Sequence, residues 1–259
     1  MDVDGLLLDI DGVLVVSWEP LPGSVETLDR LREQAIPFRL ITNTTTHTRA
    51  ALAGTLNDAG FAVEPHEIVT AVAATAGYLR THHAGARVFL LSDGDARDDL
   101  EGIMLVGSDE PADVVVIGGA CDDFTYAAMN HIFGLLAEGA ALIGMHRNLY
   151  WRTSAGLQLD GGAYVAALEE AAGTTATICG KPSTAFFETA LELLGVPASR
   201  AAMVGDDVVN DVLGAQAIGM IGVLVRTGKF QPSDLARHDG SPDHVIDAFA
   251  DLPALLQAP

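Results

Sequence analysis

Asp9 and Asp11 close the apolar run Leu6-Leu7-Leu8, with only Ile10 between them. The run reads as a buried strand, and alternate side chains of a strand point the same way, so both carboxylates are expected on one face. Like charges that close together repel, and an apolar run solvates them poorly. Other polar groups stand behind strand-like segments further along. Thr42 and Asn43 end "FRLITN", Lys181 and Pro182 follow "ATICG", and "AAMVGDDVVND" holds Asp206, Asp207 and Asp211. In open α/β sheets, ligands bind beyond the carboxyl ends of the strands, where these residues are expected to gather.

Taken one at a time, each residue has an ordinary reading. An Asp after a strand serves as a turn residue or helix cap, Thr42 as a strand residue and Lys181 as a solvated loop charge. As a set they suit phosphoryl transfer. A carboxylate can attack phosphorus and form an acyl phosphate, dividing one difficult step into two. Mg2+ held by oxygens would relieve the repulsion of the opening pair and neutralise the transferring group. Lys181 would supply a second positive charge, while Thr42 and neighbouring backbone N–H groups would donate hydrogen bonds to the phosphoryl oxygens. Asp11 is then expected to protonate the leaving oxygen and afterwards to activate water.

The elements that must position these groups alternate between strand and helix nearly throughout. That pattern predicts an α/β fold built on a doubly wound, mostly parallel sheet. A strand over about 5–10 leads to a helix over 24–34 capped by Ser24. "FRLITN" is the next strand, and its threonine run caps a helix that starts near His47 and closes at Gly60. The block from 78 to 179 repeats the alternation on its own, with "RVFLLS", "ADVVVIGG" and "AALIGM" as strands and "TYAAMNHIFGLLAEG" as a helix. The helix "GAYVAALEEAAG" is placed at the return to the first domain. "ATICG", "AAMVGD" and "GVLVRTG" resume the first sheet, with "STAFFETALELLG" and "NDVLGAQAIG" as helices between them. The expected organisation is a core of residues 1–77 and 180–259 interrupted by an α/β insert over 78–179.

Hydrophobic residues make up 49% of the 259, enough for a sizeable core. Asp and Glu number 35 against 14 Lys and Arg, a net charge of −21. That balance speaks against nucleic acid or an anionic membrane as partner. A small anionic substrate stays open, because a bound cation reverses the sign of a local site. Cys121 and Cys179 have no metal-ligand or redox spacing and fit a reducing compartment. The N-terminus is acidic where a signal peptide is basic, and no apolar run approaches membrane-spanning length, so a cytoplasmic location is expected. "SDGDARDDLEG" lacks EF-hand spacing and reads as a turn and helix start. His146 and Arg147, with Tyr150 and Trp151 after them, are candidates for lining a substrate pocket; packing within the insert or a subunit interface are the alternatives.

"DIDGVL", "LITN", "GKP" and "VGDD" with Asp211 beyond, in that order across essentially the whole chain, resemble the haloacid dehalogenase superfamily. The insert lies between the threonine and lysine motifs, a position similar to that of the cap in NagD-like phosphatases. "FTYAAMNHIF", "YWRTSAGLQLDGGAYVAALEEAAG", "GKPSTAFF" and "VRTGKFQPSD" further resemble the subgroup containing phospholysine phosphohistidine inorganic pyrophosphate phosphatase. The resemblance implies Mg2+, a small phosphorylated substrate and a homodimer formed through the cap. It implies Asp9 as nucleophile and metal ligand, and Asp11 as acid/base residue that ligates metal through its backbone carbonyl. Thr42, Asn43 and Thr44 would bind the phosphoryl group, Lys181 would stabilise it, and Asp206 would bind Mg2+ directly. Asp207 and Asp211 would stand behind the direct ligands, Asp211 orienting them. In the named phosphatase a serine replaces the second aspartate of this pair; the intact Asp11 favours an ordinary phosphomonoesterase over pyrophosphate or phospholysine specificity. A phosphomutase is the enzymatic alternative. A phospho-accepting regulatory module of the response-regulator type and a non-catalytic scaffold are the alternatives of another class.

Overall fold

The computed structural model describes residues 1–153, 156–233, 235 and 240–257, the side chains of 96 and 151–153 excepted. The chain divides into two compact units. Unit 1 comprises Met1–Thr42, Arg49–Val69 and Lys181–Pro259, and unit 2 comprises Asn43–Thr48 and Thr70–Gly180.

Unit 1 opens with β1 (Gly5–Asp9), a small hairpin of β2 (Val15–Val16) and β3 (Glu19–Pro20), α1 (Ser24–Glu33), β4 (Phe38–Thr42), α2 (Arg49–Asp58) and β5 (Ile68–Thr70). Next come α3 (Ala71–His82), β6 (Arg87–Leu91), β7 (Met104–Val106), β8 (Val114–Ile117), α4 (Tyr126–Ala137) and β9 (Ala141–Gly144). An antiparallel hairpin of β10 (Tyr150–Thr153) and β11 (Gly156–Leu159) precedes α5 (Gly161–Ala172) and β12 (Thr177–Ile178). Unit 1 resumes with α6 (Thr184–Leu194), β13 (Ala201–Gly205), a π-helix (Val208–Leu213), α7 (Gly214–Gln216), β14 (Ile221–Val225), β15 (His244–Ile246) and α8 (Leu252–Gln257).

The six-stranded sheet of unit 1 runs β15-β14-β13-β1-β4-β5. β1 pairs in parallel with β13 and β4, β13 with β14, and β14 with β15. The chain fills one side of β1 first and then crosses to the other, so the strand order reverses between β1 and β13. A reversal of this kind opens a crevice at the carboxyl ends of the strands. A central parallel strand is covered on both faces, which is why β1 reads as unbroken leucines rather than as an alternation. Leu6, Leu7 and Leu8 are fully buried, each contributing about 2 kcal/mol. On one side Leu6 and Leu8 join Leu28, Leu31, Leu52 and Leu56 in the main core. Helix α6 starts where Ser183 Oγ accepts the Phe186 N–H, ends at a left-handed Gly195, and buries Phe186, Phe187, Ala190, Leu191 and Leu194 at helical spacing.

Unit 2 has its own five-stranded sheet, β12-β9-β8-β6-β7, parallel in every pair. Thr125 caps α4 by accepting the Ala128 N–H; Asp160 caps α5, and a left-handed Gly173 closes it.

Several expectations are corrected. Ser24 is the buried first residue of α1, and Gly23, left-handed at φ 77°, occupies the N-cap position. β1 ends at Asp9, so Asp9 and Asp11 do not share a strand face: Asp9 is buried, and Asp11 is exposed at an isolated bridge with Val15. "NDVLGAQAIG" forms the end of the π-helix followed by the short α7 rather than one α-helix. Neither α5 nor "ATICG" returns the chain to the first sheet. α5 packs on β8, β9 and β10, and β12 pairs with β9. A two-residue strand, Thr177–Ile178, carries no mark of the sheet it will join, so only the tertiary pairing decides. The expected insert over 78–179 falls inside unit 2, which takes the whole of α3 because Ala71, Val72, Ala76 and Leu79 pack against Val88, Leu90 and Val114.

Candidate active site

Strand register places the chemistry. Asp9 lies opposite Ile41, so Thr42 ends β4 one step beyond Asp9. Leu8 lies opposite Val204, so Asp206 follows the end of β13 in the same region. Lys181 reaches the site from the segment ahead of α6, and not from a strand end of this sheet as the sequence suggested.

Lys181 Nζ donates to Asp9 Oδ1 at 2.7 Å and to Asp211 Oδ1 at 2.6 Å. Lys181 and Asp9 are each 5% exposed, and Asp211 is 1% exposed. Burial alone would lower the lysine, but Asp211 and Asp9 outweigh it and hold the ammonium above its ordinary value. Burial raises Asp211 from its ordinary value, with the Lys181 charge pulling back against it. Asp9, Asp206 and Asp211 each offer an oxygen within 4.8 Å of the others, a spacing at which three carboxylates can hold one cation.

The two oxygens of Asp206 have different surroundings. Oδ2 accepts the Lys229 N–H at 2.6 Å, whereas Oδ1 is buried with no hydrogen-bond partner among the described residues. Burial, followed by the nearby Asp9 charge, raises Asp206 to about 6. Its folded-state value thus lies above the ordinary 3.8, so its contribution to stability is present below 3.8 and is lost as pH rises through about 6. The difference amounts to roughly 3 kcal/mol. Asp206→Asn keeps an oxygen for the Lys229 N–H and removes the charge. In the metal-free protein it is expected to raise the thermal midpoint at pH 7.5 by several degrees and to do little at pH 4. Scanning calorimetry in chelator at the two pH values checks this.

Asp207 and Asp211 separate into two roles. Asp207 Oδ1 accepts the N–H groups of Val209 and Asn210, and Oδ2 accepts Asn210 Nδ2, so Asp207 caps the π-helix. That helix carries Asp211, whose Oδ2 in turn accepts the Asp207 N–H at 3.1 Å. Asp211, expected behind the ligands, contributes an oxygen to the carboxylate cluster while both its oxygens take protein donors.

Sequence reasoning missed Lys229. Burial would lower its ammonium, but Asp9 and Asp206 outweigh that and raise it. The available signal was the rule that picked out the other residues: Lys229 stands a few residues beyond the carboxyl end of β14.

Thr42 closes β4 in unit 1, and Asn43 and Thr44 begin the short segment of unit 2 that follows it. In unit 2, His146 is buried, its Nδ1 accepts the Asn148 N–H at 3.2 Å, and its Nε2 lies 3.6 Å from Asp160 Oδ1. Arg147 pairs with Glu169 at 2.6 Å, which also accepts the Ala176 N–H. His146 is thus buried and held within unit 2, whereas Arg147 is exposed beside its Glu169 partner. Tyr150 is exposed, and the Trp151 side chain lies outside the described residues. Among the described residues no helix is long and apolar enough to cross a membrane.

Residues 6–105 match the family model of haloacid dehalogenase-like hydrolases, and residues 178–252 match a second, HAD-hydrolase-like model. Human phospholysine phosphohistidine inorganic pyrophosphate phosphatase is 38% identical, the match covering 98% of this chain and 94% of the relative. The chain belongs to the haloacid dehalogenase-like hydrolases. Two solved structures carry the same α/β arrangement as this haloacid dehalogenase-like hydrolase. The p-nitrophenyl phosphatase from Archaeoglobus fulgidus matches with a TM-score of 0.91 and 29% identity, covering 99% of this chain and 100% of that one. NagD from E. coli K-12 matches with a TM-score of 0.88 and 25% identity, covering 97% and 98%.

Proposed function

We propose that this haloacid dehalogenase-like hydrolase is a Mg2+-dependent phosphatase that hydrolyses a small phosphorylated metabolite through a phosphorylated Asp9. The observation that carries the reading is the buried cluster in which Lys181 joins Asp9 and Asp211 beside Asp206.

The donor set fits a hard divalent cation. Three carboxylates against the ammoniums of Lys181 and Lys229 leave one formal negative charge, and Asp206 Oδ1, partnerless among the described residues, is an oxygen donor in want of a cation. Asp9, Asp206 and the backbone carbonyl of Asp11 would hold Mg2+, which when bound supplies positive charge to the transferring phosphoryl group. An Asp9 oxygen attacks phosphorus as the substrate's P–O bond breaks, and Asp11 gives its proton to the leaving oxygen. Asp11 then takes a proton from water, whose oxygen attacks phosphorus and releases phosphate, regenerating Asp9. Thr42, Asn43 and Thr44 bind the phosphoryl oxygens, and the Lys181 ammonium balances their charge. Unit 2 takes the part of a cap whose loops set substrate choice.

Turnover of p-nitrophenyl phosphate with Mg2+, in excess chelator, and after Mg2+ is restored tests the reading. Activity is expected to vanish in chelator and to return with the metal. Equal turnover in all three conditions overturns it. A second reading, a pyrophosphate or phospholysine-type phosphatase, is favoured by the 38% identity to the human relative of that name. Under the first reading, with Asp11 present, kcat/KM is higher for phosphomonoesters than for inorganic pyrophosphate.

A further inference from the structure

Asp206 follows β13, yet its carboxylate is gripped by two other loops of unit 1. One is the turn after β1 that carries Gly12, and the other is Thr227–Gly228–Lys229 after β14. Lys229 donates its N–H to Asp206 Oδ2 at 2.6 Å, and Thr227 Oγ1 donates to the Gly12 carbonyl. Both glycines are left-handed, Gly12 at φ 91° and Gly228 at φ 60°. A Cβ on either one would overlap Asp206 Oδ2, and a Cβ on Gly228 would also come within 2.5 Å of the Gly12 Cα. The carboxylate is therefore wedged between two bare backbones that are themselves tied together.

The terminal torsion of an aspartate is soft and roughly two-fold, so an unrestrained carboxylate presents its oxygens interchangeably. Here one oxygen is locked and the other, Oδ1, is left buried without a partner among the described residues. We infer that Gly12 and the Thr227–Gly228–Lys229 segment form a clamp that sets the affinity of the cation site by fixing which Asp206 oxygen faces the metal. The inference rests on the proposed Mg2+ site and goes beyond it, since Gly228, Thr227 and Lys229 are positioning residues that act through Asp206. Pre-orienting a ligand raises affinity by removing an ordering cost, and loss of such support weakens metal binding by about 10- to 100-fold.

Calorimetric titration of the full chain with Mg2+ tests the clamp, using wild type, Gly228→Ala and Thr227→Val. Gly228→Ala strains a left-handed position and drives a methyl into Oδ2; its Kd is expected to rise by about 10- to 100-fold. Thr227→Val keeps the side-chain volume and removes only the hydroxyl tie to Gly12; its Kd is expected to rise several-fold. Thermal midpoints in chelator separate lost affinity from a general folding defect: Thr227→Val is expected to melt within a few degrees of wild type while its Kd rises. If wild type binds Mg2+ and both variants match it within twofold, the clamp is overturned while the phosphatase reading stands. If Gly228→Ala does not fold, Thr227→Val decides, and wild-type affinity in that variant overturns the inference. If wild type takes up no Mg2+, the clamp falls together with the metal reading.

Discussion

Asp9→Asn is expected to lower turnover of p-nitrophenyl phosphate by about four orders of magnitude or more, with the thermal midpoint within a few degrees of wild type. An amide oxygen is a far weaker nucleophile than a carboxylate and yields no stable acyl phosphate. The fold survives because two effects oppose each other. Lys181 loses the Asp9 carboxylate but keeps Asp211 at 2.6 Å. At the same time the Asp9 charge, which helps raise both Asp206 and Asp211, is gone. Parallel assay and calorimetry read the two quantities separately. A variant retaining more than about a hundredth of the wild-type rate would place the attacking group elsewhere.

Lys181→Met is expected to damage both stability and rate. Removing one partner from a buried ion cluster leaves uncompensated charge and costs about 3–5 kcal/mol. Among the described residues, Asp211, 1% exposed, then keeps the Asp207 N–H at 3.1 Å as the donor facing its charge. At roughly 2–4 °C per kcal/mol in a chain of this size, the midpoint falls by about 10 °C. The sign of the pH dependence follows from the carboxylates. The raised lysine stays charged throughout the neutral range, whereas the raised Asp211 gains charge as pH climbs. The deficit relative to wild type is therefore smallest near pH 5 and grows toward pH 8, where unpaired carboxylates are ionised. Loss of a fixed charge aimed at the phosphoryl group lowers kcat by a further two to three orders of magnitude. Melting curves and rates across that pH range check both, and a pH-independent deficit would contradict the charge argument.

Much of the site can be read from the chain because its residues stand at element ends that local patterning marks. The unbroken leucines before Asp9 announce a central parallel strand, and "FRLIT" and "AAMVG" announce further strands, so Thr42 and Asp206 are legible as carboxyl-end residues, while the pairing that puts those strands on either side of β1 is tertiary. Lys181 belongs to the same set, but through its contact with Asp9 and not through the strand before it, which joins the other sheet. Asp11 has the expected residue type and position in sequence, yet the turn after β1 exposes it instead of pairing it with Asp9 on one face.

What the sequence by itself determined is the set of elements, their order and the acidic, hydroxyl and ammonium groups at their ends. Residue type and short-range period are local properties, and they suffice for that. Only the tertiary structure decided that β12 pairs with β9, that Asp211 shares Lys181 with Asp9, and that one Asp206 oxygen is locked while the other is left open. Each of those facts depends on which distant backbone arrives beside a side chain, as Gly12 and Gly228 do at Asp206. Approach of that kind is settled by packing and long-range strand pairing, on which propensity and spacing carry no information.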